Sequence, residues 1–396
     1  MAQTLSTTLI TTPDNVDELL DICEARDFEM RKQLDSLDIK ILEALGVYGP
    51  RNISKLAERI KVPTPTVRDR IKALKSHFSL LLQVSVYHTS IGLKKAFVFA
   101  KAAPGREQLL WESMKANGYW LYLTARYDAP ESFYGIYGIP KDHTEQFKQF
   151  VERIEKLGIA QSVNLYWSTC IQTLNLTDNW YDHESGRWAF KWDKWIKDIP
   201  SQGTSLPNTL VESESYPQKA DIIDVIVLKE LQKNAECELC DIAKLLGVSP
   251  QTVQYHFKNH VIAKGLIEGY VVFLPHFEAL SDSYCFRFDF HDKEFMARFA
   301  LSLKDKPFVR SIGKIFGKNA LFVHIYLPRE EFRGLTDSLP KLIRNGQLKS
   351  YDYTIEDPSR KKAQTIPYEF FKDKSWIYDH RKHMEKLREL ASHSLS

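Results

Sequence analysis

The sequence predicts an α+β protein of two tandem units, each a winged helix-turn-helix followed by a ferredoxin-like βαββαβ sandwich. A helix-turn-helix pattern near residues 53–74 recurs 186 residues later without a gap, as the pairs Leu56–Ile242 and Val67–Val253 illustrate. After each copy, strand and helix patterns follow in the order β-α-β-β-α-β. Two occurrences of one uncommon pattern indicate a duplicated module.

Composition is that of a globular protein with several domains. The chain has 396 residues, of which 43% are hydrophobic and 27% charged, and its formal net charge is only +3. The net charge of the whole chain therefore does not indicate a polyanionic partner, and any basic surface must be confined to part of the protein. The sequence contains no run of about 18 apolar residues and no signal segment, so we expect a cytoplasmic protein with no membrane contact. Five scattered cysteines fit a reducing compartment.

Residues 1–33 are predicted to form a polar tail and one amphipathic helix that begins at Thr12-Pro13. This helix lies outside the duplicated unit. It has two open interpretations, packing on its own domain or a dimer contact.

The first winged helix is predicted over residues 34–90. In its second hairpin helix, Thr64 is expected as the N-cap and Pro65 as the first helical residue. The β-rich run Leu80–Tyr87 that follows is the candidate wing. The matching winged helix is predicted over 220–276, with Ser249 as N-cap one position earlier than in the first copy.

Two ferredoxin-like domains are predicted at residues 91–170 and 277–355. Pro140 matches Pro328 at an interval of 188, so the register drifts by only two residues from the helix-turn-helix interval. The family of split βαβ folds has this element order.

Aromatic and charged extensions follow both sandwiches. They cover residues 171–198 and 356–396, the second of which ends in a charged helix, and a Ser/Pro/Thr-rich linker spans 199–219. Trp376 is placed in the position of Trp195. We expect packing against the sheet or the partner unit, whereas the mixture of tryptophan with Arg and Lys leaves base stacking as the alternative.

The second helix of each hairpin is the candidate DNA-reading helix. The candidate DNA-contacting residues are Thr64, Thr66, Arg68, Asp69, Arg70, Lys72 and Lys75 in the first copy and Gln251, Thr252, Gln254, Tyr255 and Lys258 in the second. Residues 51–75 contain eight Lys/Arg and two Asp/Glu, a formal charge of +6, whereas residues 237–261 contain two of each and sum to zero. The alternative for both helices is that these residues form an ordinary solvent-exposed surface that does not contact DNA.

A winged helix followed directly by βαββαβ resembles the leucine-responsive regulatory protein (Lrp/AsnC) family of bacterial and archaeal transcription regulators. The resemblance rests on Leu37-Asp38, on the run Thr66–Lys72 and on Thr124–Asp128 between the middle strands. It implies dimeric binding of double-stranded DNA, here as a homo-oligomer or an intramolecular pseudo-dimer, with a small-molecule effector near the αβ domains. Ala125 and Phe316 depart from the family's Gly and Asp positions, which leaves the effector unknown.

No catalytic residues, metal site or cofactor are expected, and the chain is not expected to be an enzyme. Cys237 and Cys240 form a lone CxxC, which we assign to packing, with redox sensing as an alternative. The histidines at 256, 260, 276 and 291 are assigned to surface or capping positions.

Two other functions stay open. One is a protein–protein adaptor that has lost its DNA contacts. The other is a siroheme-decarboxylase-like enzyme, which would require histidine near the middle strands, where residues 120–127 and 308–315 contain none.

Overall fold

The structure, a computed structural model, describes residues 34–169, 172–173, 176–277 and 279–393. The predicted N-terminal tail and helix lie outside the described residues. No helix in the described part of the chain is long and apolar enough to cross a membrane.

The first winged helix is built from three helices and one strand. These are α1 (Ser36–Tyr48), α2 (Ile53–Ile60), α3 (Thr64–Phe78) and β1 (Leu81–Val86). Asp35 caps α1 in a capping box with Asp38, because each carboxylate accepts the other residue's backbone N–H. Lys61 makes the turn after α2 in the left-handed region, at φ 57°. Thr64 is the first residue of α3 and Pro63 is its N-cap, so the predicted Thr64 cap was wrong.

Two αβ domains follow the predicted order. Labelled along the chain, the first contains β2 (Leu93–Ala102), α4 (Glu107–Lys115), β3 (Trp120–Arg126), β4 (Ser132–Pro140), α5 (Thr144–Lys156) and β5 (Ala160–Ser168). Its strands lie in the sheet order β5-β2-β4-β3, the ferredoxin-like arrangement. A short strand β6 (Gln172–Thr173) comes next.

A hairpin and a helix form the first aromatic extension, and the second winged helix follows the linker. The extension contains β7 (Tyr181–Asp182), β8 (Arg187–Trp188) and α6 (Trp192–Asp198). The winged helix contains α7 (Ile222–Lys233), α8 (Leu239–Leu246), α9 (Pro250–Tyr255) continued by a π-helical segment (His256–Ile262), and β9 (Ile267–Phe273). Asp221 and Asp224 repeat the capping box of the first copy. Gly247 repeats the left-handed turn of Lys61, at φ 64°. Both recognition helices therefore begin at equivalent positions.

The second αβ domain repeats the first and is followed by the second extension. The elements are β10 (Ser281–Phe290), α10 (Lys293–Ser302), β11 (Val309–Lys314), β12 (Ala320–Pro328), α11 (Arg329–Arg344), β13 (Leu348–Ala363), β14 (Phe371–Lys372), β15 (Ser375–Trp376) and α12 (His380–His393). Strand order β13-β10-β12-β11 again is ferredoxin-like. β13 runs ten residues beyond the predicted end at Tyr353.

The predicted wings do not fold back within each unit. Instead β1 pairs antiparallel with β9, from Leu81 opposite Phe273 to Val86 opposite Ile267, and makes a two-stranded ribbon between the two winged helices. β1 alternates half-buried and buried side chains, whereas β9 is half-buried at every position except Val272, and neither strand has a local hairpin partner. The other copy supplies that partner, because an unpaired strand leaves its backbone groups without hydrogen bonds.

The two αβ domains pack their sheets face to face and exchange their last strands. The extended β13 pairs with β3 of the first domain, and β6, which comes after β5 in the sequence, pairs with β11 of the second. Between the sheets, Phe97 of the first domain stacks on Phe322 of the second at 4.3 Å between ring centroids. Both side chains are buried. One chain therefore contains the sheet pairing predicted for an internal pseudo-dimer.

Each aromatic extension packs on the domain of the other unit. Trp195 lies against Phe299 and Phe308 of the second domain and donates its indole N–H to Ser302 Oγ at 3.0 Å. Trp376 donates to the Ile91 carbonyl of the first unit at 2.6 Å. The structural role predicted for the extensions agrees with this packing. The hairpins show that Trp376 corresponds to Trp188 and not to Trp195.

Candidate nucleic-acid interface and inter-sheet cavities

Helix α3 buries one side and exposes a basic face on the other. Val67, Ile71 and Leu74, whose i, i+4, i+7 spacing in the sequence predicts one apolar face of a helix, are buried against α1 and α2. Arg68 and Lys72 are exposed and, four residues apart, share one face of the helix. Among the described residues neither takes part in an ion pair. The other predicted contacts of this helix vary in exposure: Thr66 and Asp69 are exposed, and Thr64 is half-buried.

Two basic residues of α3 are held by the protein itself. Arg70 Nη1 lies 2.6 Å from Asp35 Oδ2 and 3.2 Å from Asp38 Oδ1, which joins α3 to the start of α1. Partial burial opposes ionisation of Asp35, but the Asp38 backbone N–H and the Arg70 guanidinium outweigh it and lower the pKa of Asp35. Lys75 is paired with Glu236 of the second winged helix. These predicted DNA contacts therefore position the helix within the protein.

The second recognition helix is shorter and presents polar side chains with little charge. Of its predicted contacts, Gln251, Tyr255 and Lys258 are exposed, whereas Thr252 and Gln254 are half-buried. The Thr252 hydroxyl lies 2.9 Å from Ser249 Oγ, within the N-cap of α9. Tyr255 keeps 56% of its surface exposed, which is unusual for an aromatic side chain on a structural face.

The structure lowers the number of basic residues that the first module can offer to DNA. Arg51, counted among the eight basic residues of the first window, donates to the Cys237 carbonyl at 2.6 Å and lies 4.9 Å from the centre of the Phe257 ring. With Arg70 and Lys75 also engaged, five basic residues of the window 51–75 are exposed: Lys55, Arg59, Lys61, Arg68 and Lys72.

A cavity of about 240 Å³ lies where the β1–β9 ribbon meets the sheets. Its polar lining includes His88, Lys95, Glu268 and Gln364. His88 Nδ1 is 2.7 Å from the Val86 carbonyl. Nδ1 therefore holds the proton of the neutral ring, and Nε2 is an acceptor with no partner in the described part of the chain. Burial, together with the nearby Lys95 charge, lowers the pKa of His88 well below its usual range.

A smaller cavity of about 180 Å³ lies between the sheets, beside Phe99, Tyr166 and Arg287. Arg287 donates to Tyr166 Oη at 3.0 Å, so its guanidinium crosses from the second domain to the first. Both cavities lie below the range of about 300–1,000 Å³ that is typical of sites for drug-sized ligands. They suit a small effector better than a large cofactor.

Polar groups are also buried between the sheets themselves. Tyr122 and Tyr134 both donate their hydroxyls to Glu356, the first at 2.7 Å. His324 Nδ1 lies 2.8 Å from Ser311 Oγ, and its Nε2 has no partner among the described residues. Burial lowers the pKa of His324, against the opposing charge of Glu356. Periodicity did not single out these residues, because each looks like an ordinary position of an aromatic strand.

Two expectations for cysteine and histidine positions differ from the structure. Cys240, assigned to packing, is exposed, and His256 and His276, assigned to surface or capping positions, are buried. The spacing of His256 and His260 is that of ligands on one helical face, and the structure brings both side chains to Asp221 and Asp224. The four-residue interval between the two histidines was visible in the sequence. The carboxylates that join them lie more than 30 positions earlier in the chain, so the cluster was not.

Family models match both helix-turn-helix segments. Residues 34–75 match the AsnC-type helix-turn-helix domain, and residues 221–259 match a winged helix-turn-helix DNA-binding domain. The predicted resemblance to Lrp/AsnC regulators is thereby confirmed, with a second winged helix in tandem. A search of curated proteins found no significant match.

Solved structures of two kinds are similar to the chain. The siroheme decarboxylase NirDL is 12% identical over 91% of this chain and 100% of its own, with a TM-score of 0.46. The regulator PF0864 of Pyrococcus furiosus, a member of the AsnC family, is 17% identical over 34% of this chain and 88% of its own, with a TM-score of 0.27. AsnC of E. coli is 15% identical over 34% and 92%, with a TM-score of 0.28.

Proposed function

We propose that this tandem Lrp/AsnC-like protein is a sequence-specific DNA-binding transcription regulator of the cytoplasm, and not an enzyme. The observation that supports it most directly is the basic face of α3, where Arg68 and Lys72 are exposed. Cations that are free of internal partners on a recognition helix can neutralise phosphates or reach base edges in the major groove.

The two winged-helix modules contribute differently to DNA binding. The first supplies most of the electrostatic affinity, because five exposed basic residues surround its hairpin. Phosphate neutralisation accounts for much of the affinity for duplex DNA, and each contact contributes about 0.9 to the slope of log K against log salt. The second module supplies base reading through Gln251, Gln254 and Tyr255, since a glutamine amide pairs with adenine in the major groove.

The proposal is tested by DNA binding measured over a range of salt concentrations. Replacing Arg68 and Lys72 together with Ala should weaken binding at least about ten-fold and flatten the log–log salt plot by roughly one to two units. Replacing Gln254 and Tyr255 together with Ala should leave that slope nearly unchanged and reduce the preference for specific over random DNA. Lys75→Ala is the matched basic control, because Lys75 is paired with Glu236.

Three outcomes would contradict parts of this proposal. Equal losses of salt slope in the two double variants would remove the division between modules. A Lys75→Ala effect as large as that of Arg68→Ala would show that the internal pairs do not decide which cations contact DNA. An intact wild-type protein that binds duplex DNA at no salt concentration would favour the adaptor function instead.

Regulation by a small effector is the second part of the proposal. The specific observation is the cavity of about 240 Å³ beside His88, whose Nε2 has no partner among the described residues. The ribbon of β1 and β9 lines this cavity and connects the winged helices, so a bound molecule would contact the segment that sets their relative position. An imidazole acceptor near the Lys95 ammonium suits a ligand with both a donor group and a negative charge.

A further inference from the structure

Four potential metal ligands meet beside the recognition helix of the second module. Asp221 and Asp224 lie at the N-terminus of α7, and His256 and His260 lie on the π-helical segment that continues α9. One ligand atom from each of the four falls within 4.8 Å of all the others. Asp224 is fully buried, and both imidazoles are largely so.

The distances within this cluster fit a single small cation. His256 Nδ1 lies 2.8 Å from Asp224 Oδ1 and 3.5 Å from Asp221 Oδ1. His260 Nδ1 lies 3.0 Å from Asp224 Oδ2 and 3.8 Å from Asp221 Oδ2. Tetrahedral zinc with bonds of about 2.0–2.2 Å places neighbouring ligand atoms roughly 3.3–3.5 Å apart. The four His–Asp separations bracket that value, and every pair of ligand atoms lies within 4.8 Å.

The backbone already orients both carboxylates. Asp221 Oδ1 accepts the N–H groups of Ile223 and Asp224, and Asp224 Oδ2 accepts the N–H of Asp221. These capping bonds fix the two carboxylates where the ligand atoms converge. Outer hydrogen bonds of this kind hold the ligands of established metal sites in place.

The first copy has the same capping box but no such cluster of metal ligands. There Asp35 and Asp38 form the same capping box, and the positions of His256 and His260 hold Arg70 and Leu74. Arg70 pairs with both carboxylates, and Leu74 is buried in the core. Arg carries a permanent charge that balances the carboxylates, whereas imidazole carries no fixed charge near neutral pH. The second copy has therefore lost its permanent cation and has gained two nitrogen ligands.

We propose that Asp221, Asp224, His256 and His260 bind one divalent transition-metal ion of the zinc class. Imidazole and carboxylate together suit Zn²⁺ and its first-row neighbours better than Mg²⁺ or Ca²⁺, which prefer oxygen ligands throughout. The ion would supply the charge that Arg70 supplies in the first copy. It would also fasten the start of α7 to the end of the recognition helix, directly after Tyr255, so the second module would be ordered by metal and the first by an ion pair.

The test uses the full chain after chelator treatment and dialysis. Titration with Zn²⁺ by calorimetry, and with Co²⁺ by its visible absorption, should give one equivalent at this site with the spectrum of a tetrahedral nitrogen and oxygen site. The variant His256→Arg/His260→Leu installs the residues that occupy the equivalent positions of the first copy, Arg70 and Leu74. It should fold and lose that equivalent, and its melting temperature should not respond to Zn²⁺, whereas that of the wild type rises.

A control and a second variant keep the result interpretable. Cys237→Ser/Cys240→Ser should retain the full equivalent, because neither cysteine belongs to the cluster. If the double histidine variant fails to fold, His260→Gln replaces it and should lower the Zn²⁺ affinity at least about ten-fold. Wild-type protein that binds neither ion, equal binding by wild type and histidine variant, or loss of the equivalent in the cysteine variant would overturn the proposal.

Discussion

Removing Phe322 should loosen the pairing of the two αβ domains within one chain. This side chain is 1% exposed and lies between the sheets, 4.3 Å from the Phe97 ring and 5.5 Å from the Phe99 ring of the other domain. Phe→Ala in a core costs about 3–5 kcal/mol, including the cavity that is left. Since the contacts of Phe322 join two domains, we expect that loss to fall on the interface and not on one domain alone.

The magnitude is measurable by hydrogen exchange of the intact protein. Each 1.4 kcal/mol is a factor of ten in an opening equilibrium, so peptides from β2 should exchange roughly two to nearly four orders of magnitude faster in Phe322→Ala. The matched control is Phe288→Ala. Phe288 is also 1% exposed, but it faces the helices of its own domain, 4.9 Å from Phe299.

The control variant should speed exchange in the second domain and leave β2 of the first domain nearly unchanged. Equal exchange of β2 in the wild type and in Phe322→Ala would refute the reasoning. So would an equal acceleration of β2 in both variants, because the sheet-to-sheet contact would then not be the specific link between domains.

Two further predictions concern protonation and the enzyme alternative. His276 is buried, and burial together with the Arg310 charge lowers its pKa from 6.5 to about 3. The unfolded chain therefore binds the extra proton, so folding stability should fall as pH drops below about 6.5, by up to about 1.4 kcal/mol per pH unit. His276→Gln should remove about one proton from that slope in denaturant titrations at several pH values, and unchanged slopes would contradict this assignment. The siroheme-decarboxylase-like alternative is tested with iron uroporphyrin, whose visible spectrum should stay unchanged when it is mixed with this protein, because residues 120–127 and 308–315 of the middle strands contain no histidine to bind the iron. A stoichiometric spectral shift would favour the siroheme-decarboxylase-like function.

Local patterns were enough to predict the elements and their order. Apolar periodicity placed α3 and its buried Val67, Ile71 and Leu74 correctly, and the 186-residue interval identified the second copy. Helix and strand periods depend on neighbours a few positions away, so a single sequence contains them. The same holds for the left-handed turn at Gly247, which needs only one permissive residue.

Contacts between the copies could be decided only by the tertiary structure. The sequence predicted that the sheets pair, but not that β1 would join β9 or that β13 would reach β3, because register between distant strands leaves no local signal. Nor did it separate Arg68, which is exposed, from Arg70, which is paired with Asp35 and Asp38. Both are basic residues of one helix, and a carboxylate contributed by another helix determines which of them remains free.

The cluster of Asp and His residues also separates what the sequence predicts from what only the tertiary structure determines. The sequence contains the four-residue spacing of His256 and His260 and the capping box of Asp221 and Asp224 as two separate local motifs. Folding places α7 against the end of the recognition helix, and only that packing converts a cap and two histidines into four converging ligands. A site that depends on distances between helices and strands is determined by how they pack, whereas the helices and strands themselves are determined by local sequence.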